Sequence, residues 1–206
     1  MPYSNYPRIV ITGACDEVGR ACAEALRQRG ATLVLSDNDG PALSRLSASL
    51  GAIGMFCDVV SSSSIQLFAA ELLAQNAEID VLINAAGGGY ERTLGMHRVS
   101  RALMPALRSG DARKWILNVP PGETAIRSRM FPYASSREAF ARLSEALAQE
   151  VRGSNVSVGI ACPSLGKIEY ACNLTGRPPI ATADLPDDCA AVKALAERVA
   201  DLVLPS

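Results

Sequence analysis

A chain of 206 residues, 49% apolar and 20% charged, is long enough for one domain with a full hydrophobic core over residues 1–206, and no apolar run approaches a membrane span. The balance of 20 Lys and Arg against 21 Asp and Glu excludes the basic surface that nucleic acid requires. Six cysteines without a CxxC pair predict free thiols in a reducing cytoplasm, and the single histidine, His97, leaves no zinc cluster, so no metal is expected. Residues 1–7 carry neither a basic region nor an apolar stretch, so no export signal is expected.

The first apolar run, Ile9-Val10-Ile11, breaks into Thr12-Gly13, and Gly19 opens a helical pattern with Ala21, Ala25 and Leu26 on one side. Strand, glycine turn and helix N-terminus together hold a phosphate, because unpaired N–H groups and a partial positive charge point at the anion. At the head of a long strand–helix alternation, that turn predicts a dinucleotide. Leu33-Val34-Leu35 is a second strand ending in Ser36-Asp37, and a helix with Leu43, Leu46 and Leu50 on one face follows. Ala52 to Phe56 reads as a third strand closed by Cys57-Asp58-Val59. Ser61 to Ser64 then cap a helix carrying Ile65, Phe68, Leu72 and Leu73. Val81-Leu82-Ile83 is a fourth strand, running into Asn84-Ala85-Ala86-Gly87, and Met96, Val99, Leu103, Ala106 and Leu107 form a helical stripe. Trp115 to Val119 is a fifth strand, stopped by Pro120-Pro121-Gly122. A long helix from Tyr133 turns Phe140, Leu143, Leu147 and Val151 inward, and Val156 to Ala161 is a sixth strand ended by Cys162-Pro163. A Gly- and Pro-rich loop leads to a last helix with Val192, Leu195, Val199 and Leu202. Apolar strands alternating with amphipathic helices predict a doubly wound α/β domain with a mostly parallel sheet, its ligands beyond the C-terminal strand ends.

Taken together, Thr12-Gly13-x-x-x-x-x-Gly19, Asp37, Asp58-Val59, Asn84-Ala85-Ala86-Gly87, Tyr133-x-x-Ser136-Arg137 and Cys162-Pro163 resemble, in order and spacing, the short-chain dehydrogenase/reductases. The resemblance implies a Rossmann-type sheet, a nicotinamide dinucleotide and hydride exchange between carbonyl and hydroxyl compounds. It implies that Thr12, Gly13, Val18, Gly19, Asn84, Ala85, Ala86, Gly87 and Pro163 border the cofactor. Asp37 would take the ribose hydroxyls and repel a 2′-phosphate, favouring NAD(H), while Asp58 and Val59 would meet the adenine. The bland alternative for Asp37 and Asp58 is that they end strands as turn formers.

The departures from the family pattern are concentrated. Glu17 stands where a glycine is expected, after Asp16. An acid in a helix's first turn stabilises the helix but competes with a diphosphate for its N–H groups, so cofactor binding is expected to be weakened. A redox role for Cys15 is disfavoured, because Asp16 and Glu17 oppose the helix dipole. Tyr133 holds the proton-donor position, but its usual Lys partner is Arg137, and the serine expected after the fifth strand falls on Pro120 or Pro121, with Thr124 or Ser128 as substitutes. The segment from Gly87 to Pro105 is short, which puts Arg92 at the place of the family's catalytic Asn. Ser164 and Ile168 replace a Gly and a Thr, and the family's last strand is expected to be absent, leaving about six strands and an open pocket. Arg92, Arg127, Arg129 and Arg137 either converge on Tyr133 as an anion pocket or form a solvated face. His97 is expected to be a packed, hydrogen-bonded histidine. Two readings follow. One is an NAD(H)-dependent oxidoreductase with an incomplete catalytic set, Tyr133 and Arg137, acting on a small and anionic carbonyl or hydroxyl substrate. The other is a non-catalytic dinucleotide-binding or partner protein that keeps the fold. A homo-oligomer through the long helix is compatible with both.

Overall fold

The computed structural model describes residues 7–75, 78–87, 90–119, 130–162, 167–170 and 189–204; of residues 130–139, 162, 167–170 and 189–191 it describes the backbone. Seven strands, β1 (Arg8–Thr12), β2 (Thr32–Asp37), β3 (Ile53–Phe56), β4 (Val81–Asn84), β5 (Lys114–Asn118), β6 (Val156–Cys162) and β7 (Lys167–Tyr170), form one sheet in the order β3-β2-β1-β4-β5-β6-β7. The first six are parallel, in the register Ile11↔Leu35 and Ile11↔Ile83 around β1. β7 pairs antiparallel with β6, Ala161 opposite Ile168. The six parallel strands match the apolar runs of the sequence. β7 falls inside the Gly- and Pro-rich stretch expected to be a loop, and it holds the sheet position next to β6.

The alternation of side chains along each strand builds two core layers. Ile9, Ile11, Leu33, Leu35, Ile83 and Leu117 face one layer with Cys22 and Leu26 of α1 (Glu17–Gln28), Leu43 and Leu46 of α2 (Gly40–Leu50), and Leu195 and Val199 of α7 (Cys189–Val203). Val10, Val34, Leu82, Ile116 and Val158 face the other, with Phe68 and Leu72 of α3 (Ser62–Ala74), Val99 of α4 (Tyr90–Ala102), Leu107 of α5 (Met104–Leu107) and Leu147 of α6 (Met130–Glu150). Both faces are therefore covered, which is why the central strands read as unbroken apolar runs.

Local chemistry sets the helix ends. The Asp39 carboxylate accepts from Ala42 N–H at 3.0 Å to start α2, and Gly51, at φ +58°, ends it. Ser61 Oγ accepts from Ser64 N–H at 3.3 Å to start α3, as its position predicted. The single stripe expected from Met96 to Leu107 is two helices: Pro105 lies in the first turn of α5, where its missing N–H costs nothing. In α6, Leu143 is half-buried and the fully buried position beside it belongs to Ser144. Lys114, fully buried at the start of β5, is held by Asp80 at 2.7 Å and Glu78 at 3.6 Å, so that its charge is paired on the side of the sheet away from the glycine turn. His97 was expected to be hydrogen-bonded, and its Nδ1 is instead buried without a partner among the described residues. Among the described residues no helix is long and apolar enough to cross a membrane, and no group of His, Cys, Asp and Glu could hold a metal.

Candidate functional site

The glycine turn sits between the C-terminal end of β1 and the start of α1. Gly13 has φ +68°, and a Cβ there would fall 2.3 Å from Ala86 N, inside backbone contact. A Cβ on Gly19 would fall 2.1 Å from Gly13 O. Turn, helix and the loop after β4 are thus packed backbone to backbone, which only hydrogen in place of a side chain allows. Ala85 N–H donates to Thr12 O at 2.9 Å and Gly87 N–H to Ala85 O at 2.7 Å, holding Asn84 to Gly87 against the turn. α1 begins at Glu17 rather than at Gly19, so Gly19 lies within its first turn and Val18 is buried beneath it. Asp16, the N-cap residue, makes no side-chain capping bond.

Beside the turn opens a shallow cleft, continuous with solvent and lined by Gly13, Asp37, Asn38, Cys57, Asp58, Val59, Ala86 and Arg92. Asp37, at the end of β2, is 8% exposed. Its Oδ2 accepts from Cys15 N–H at 2.9 Å and its Oδ1 from Asp39 N–H at 3.0 Å. The carboxylate is fixed by two N–H donors, and each oxygen keeps lone pairs for a further donor. Asp58 builds its own turn, with Oδ1 accepting from Val60 N–H at 3.1 Å and its N–H donating to Ser64 Oγ at 2.9 Å. Cleft lining and turn formation are therefore compatible for both acids. Burial, then the charges of Asp37 and Asp39, push the Cys15 thiol up to about 11, so no thiolate forms at the helix start near neutral pH.

The acid that engages this edge of the site is Asp16, not Glu17. Both acids are exposed and neither lines the cleft, but only Asp16 reaches its lining cation. Asp16 Oδ2 lies 3.7 Å from Arg92 Nη1, and that nitrogen also donates to Gly87 O at 3.2 Å. Partial burial raises the Asp16 carboxyl from its ordinary value, Arg92 opposes the rise, and the charge of Asp37 adds to it. Arg92 stands in the first turn of α4, where its guanidinium reaches across the glycine turn. The other members of the expected anion pocket, Arg127, Arg129 and the side chain of Arg137, lie outside the described residues. So do Pro120, Pro121, Thr124, Ser128, Pro163, Ser164 and the side chains of Tyr133 and Ile168. Residues 133 and 137 are described as backbone, one turn apart on α6.

A chain of buried polar groups went unseen in the sequence. Thr12 Oγ1 donates to Asn84 Oδ1 at 3.3 Å, and Asn84 Nδ2 donates to Asn118 Oδ1 at 2.9 Å and to Ser100 Oγ at 2.9 Å. Asn118 Nδ2 donates to Ser144 Oγ at 2.8 Å, and the Ser144 hydroxyl donates in turn to Phe140 O at 2.8 Å. The ladder joins β1, β4 and β5 to α4 and α6. Ser144 lies about three helical turns beyond residue 133 and on the same side of α6. Asn84 was legible from its motif. Asn118, Ser100 and Ser144 are single polar residues at the edges of apolar patterns, and periodicity carries no signal for them.

The described residues fit a dinucleotide at its adenosine and phosphate end: a turn that only glycine can make, a fixed acid on the cleft floor, and, among them, one lining cation. Comparison with known proteins gives the family. Residues 7–174 match the short chain dehydrogenase family. The chain is 26% identical to the 3-oxoacyl-[acyl-carrier-protein] reductase of Escherichia coli over 174 residues, covering 75% of this chain and 71% of that one. It is 23% identical to the rhamnolipids biosynthesis 3-oxoacyl-[acyl-carrier-protein] reductase of Pseudomonas aeruginosa over 201 residues, covering 85% and 78%. The 3-ketoacyl-(acyl-carrier-protein) reductase of Brucella melitensis, solved with NADH, shares the fold at a TM-score of 0.72 and 20% identity, over 97% of this chain and 91% of that one. The chain belongs to the short-chain dehydrogenase/reductase family.

Proposed function

We propose that the chain is an NAD(H)-dependent oxidoreductase of a small carbonyl or hydroxyl compound, working with an incomplete catalytic set. The observation that carries this reading is Asp37, a nearly buried carboxylate fixed on the floor of the cleft beside the glycine turn. A ribose diol can donate to such an acid, whereas a 2′-phosphate would meet its charge. At about 5 Å and an effective dielectric constant near 20, each unit charge would cost roughly 3 kcal/mol, about a hundredfold in affinity. Asp16 adds to that repulsion. Thr12, Gly13, Val18, Gly19, Asn84, Ala85, Ala86 and Gly87 would border the dinucleotide, Asp58 and Val59 its adenine, and Pro163 its nicotinamide end. The bound nicotinamide would supply or accept the hydride.

Tyr133 is proposed to move the proton at its phenolic oxygen. Arg137, one turn along α6, is the cation that makes this phenol more acidic. A charge about 5 Å away is worth roughly 3 kcal/mol, or about two pKa units, so an arginine can serve where the family uses lysine. Prolines at 120 and 121 in place of the expected serine remove an oxyanion donor, at a cost of roughly a hundred- to a thousandfold in turnover. Slow turnover is therefore part of the proposal, with anionic substrates and 3-oxoacyl thioesters, for which the relatives are named, screened first. The prolines and Arg137 also favour a second reading, a dinucleotide-binding partner protein without turnover.

Titration with NADH and NADPH, followed by a carbonyl screen with Tyr133→Phe as control, tests both. The first reading expects NADH to bind at least about tenfold tighter than NADPH, with turnover lost in Tyr133→Phe. Binding without turnover across the screen selects the second, and failure to bind either nucleotide removes both.

A further inference from the structure

Arg92 has no place in the dinucleotide site as read from sequence, yet it is the one cation among the described residues lining the cleft. It faces a floor and rim of acids. Asp37 and Asp58 line the cleft with it, Asp39 lies close enough to Asp37 for both to act on Cys15, and Asp16 stands 3.7 Å from the guanidinium. A diphosphate entering this space meets like charges on most sides, and a single guanidinium is what offsets them.

The guanidinium is also held in a way that leaves it available. Nη1 is anchored on Gly87 O at 3.2 Å, and its contact with Asp16 is 3.7 Å, beyond hydrogen-bond length, between side chains that are 37% and 49% exposed. Exposed ion pairs of this kind are weak. Arginine carries five N–H donors, so the anchor on Gly87 and a new anion can be served at once. Asp16 has no other described work, because it sits at the N-cap of α1 without making a capping bond.

We infer that Arg92 is the phosphate-binding side chain of the cleft and that Asp16 occupies it as an internal anion, which a bound nucleotide's diphosphate displaces. Asp16 thus sets affinity by competition, and Arg92 takes over part of the work that the family's glycine-rich turn does with N–H groups alone. The inference rests on the dinucleotide reading above and adds to it the group that grips the phosphates.

Calorimetric titration of the whole chain with adenosine, ADP and NADH separates the parts. Arg92→Ala is expected to weaken ADP and NADH by about 10- to 100-fold and adenosine by less than about twofold, with Arg92→Lys intermediate. Asp16→Asn is expected to tighten ADP by about tenfold when Arg92 is present and by less than about threefold when residue 92 is alanine. Thermal unfolding of each variant confirms that it is folded. If Arg92→Ala binds ADP as tightly as the parent chain, or if Asp16→Asn gains equally in both backgrounds, the inference falls while the dinucleotide reading stands. If neither the parent chain nor Asp16→Asn binds any of the three, both fall together.

Discussion

At the scale of single residues, His97 is the clearest case of a group placed against its own preference. It lies in α4 with Nδ1 buried and unpaired among the described residues. Around it, burial pulls the imidazole below its ordinary range, Glu150 of α6 pulls it back up, and Arg101 of α4, itself 3.6 Å from Glu150, lowers it again. Burial wins, so the folded protein holds His97 neutral. The unfolded chain takes up a proton near pH 6.5 and the folded chain only at lower pH. Stability is therefore full above about 6.5 and is lost as pH falls from there through the folded value. His97→Phe removes both the titration and the orphaned nitrogen, whose desolvation costs about 1–3 kcal/mol. The expected result is a higher melting temperature at pH 7.5, and a loss between pH 7 and 5.5 that is smaller than in the parent chain. Parallel curves for the two proteins over that range would refute this account of His97.

At the scale of elements, α4 is seated by a glycine that makes no turn of its own but lies inside the helix against the turn at Val59. A Cβ on Gly95 would stand 2.1 Å from Val59 O and 3.1 Å from Val59 Cβ, so helix and cleft loop touch through backbone. Glycine to alanine in a helix normally gains about 1 kcal/mol. Here the new methyl meets a carbonyl rather than a flexible side chain, and overpacking of that kind costs roughly 1–3 kcal/mol or more. The clash outweighs the propensity. Gly95→Ala is expected to lower stability by about 1–2 kcal/mol in urea and to weaken nucleotide binding, since α4 carries Arg92 and Val59 lines the cleft. A stabilised Gly95→Ala would show that α4 shifts freely. Much of this level was legible in sequence, because the strands are apolar runs and Ser61 announces its helix, although the break before Pro105 was read as one continuous stripe. β7 was not legible: Lys167-Ile168-Glu169-Tyr170 is four residues of an edge strand with no apolar run to mark it. The seat of Gly95 was not legible either, because close approach between two helical or loop backbones leaves no pattern along one chain. Asp16 and Arg92 were both noticed, but their pairing depends on where the shortened segment lets α4 begin.

At the scale of the whole molecule, one core layer is tied to the sheet by the polar ladder from Thr12 through Asn84 and Asn118 to Ser144, on the same face as Val10, Leu82 and Ile116. All four residues are almost fully buried, so each donor and acceptor depends on its neighbour for a partner. Asn118 is the link between the sheet and α6, the helix on which residues 133 and 137 stand. Asn118→Ala would leave one Asn84 N–H without a partner, open a cavity, and free the Ser144 end of the ladder. A lost buried partner costs about 1–3 kcal/mol and the cavity adds to it, so destabilisation of roughly 2–4 kcal/mol is expected in urea. On the other face α1 and α7 are clasped separately, by Arg29 to Glu197 at 2.6 Å and to Asp201 at 2.5 Å. If the ladder fixes α6 to the sheet, hydrogen exchange in Asn118→Ala should quicken more in α6 than in α1 and α7. A uniform rise across all three helices would mean that Asn118 supports the fold as a whole, and that the position of residues 133 and 137 is set by apolar packing alone.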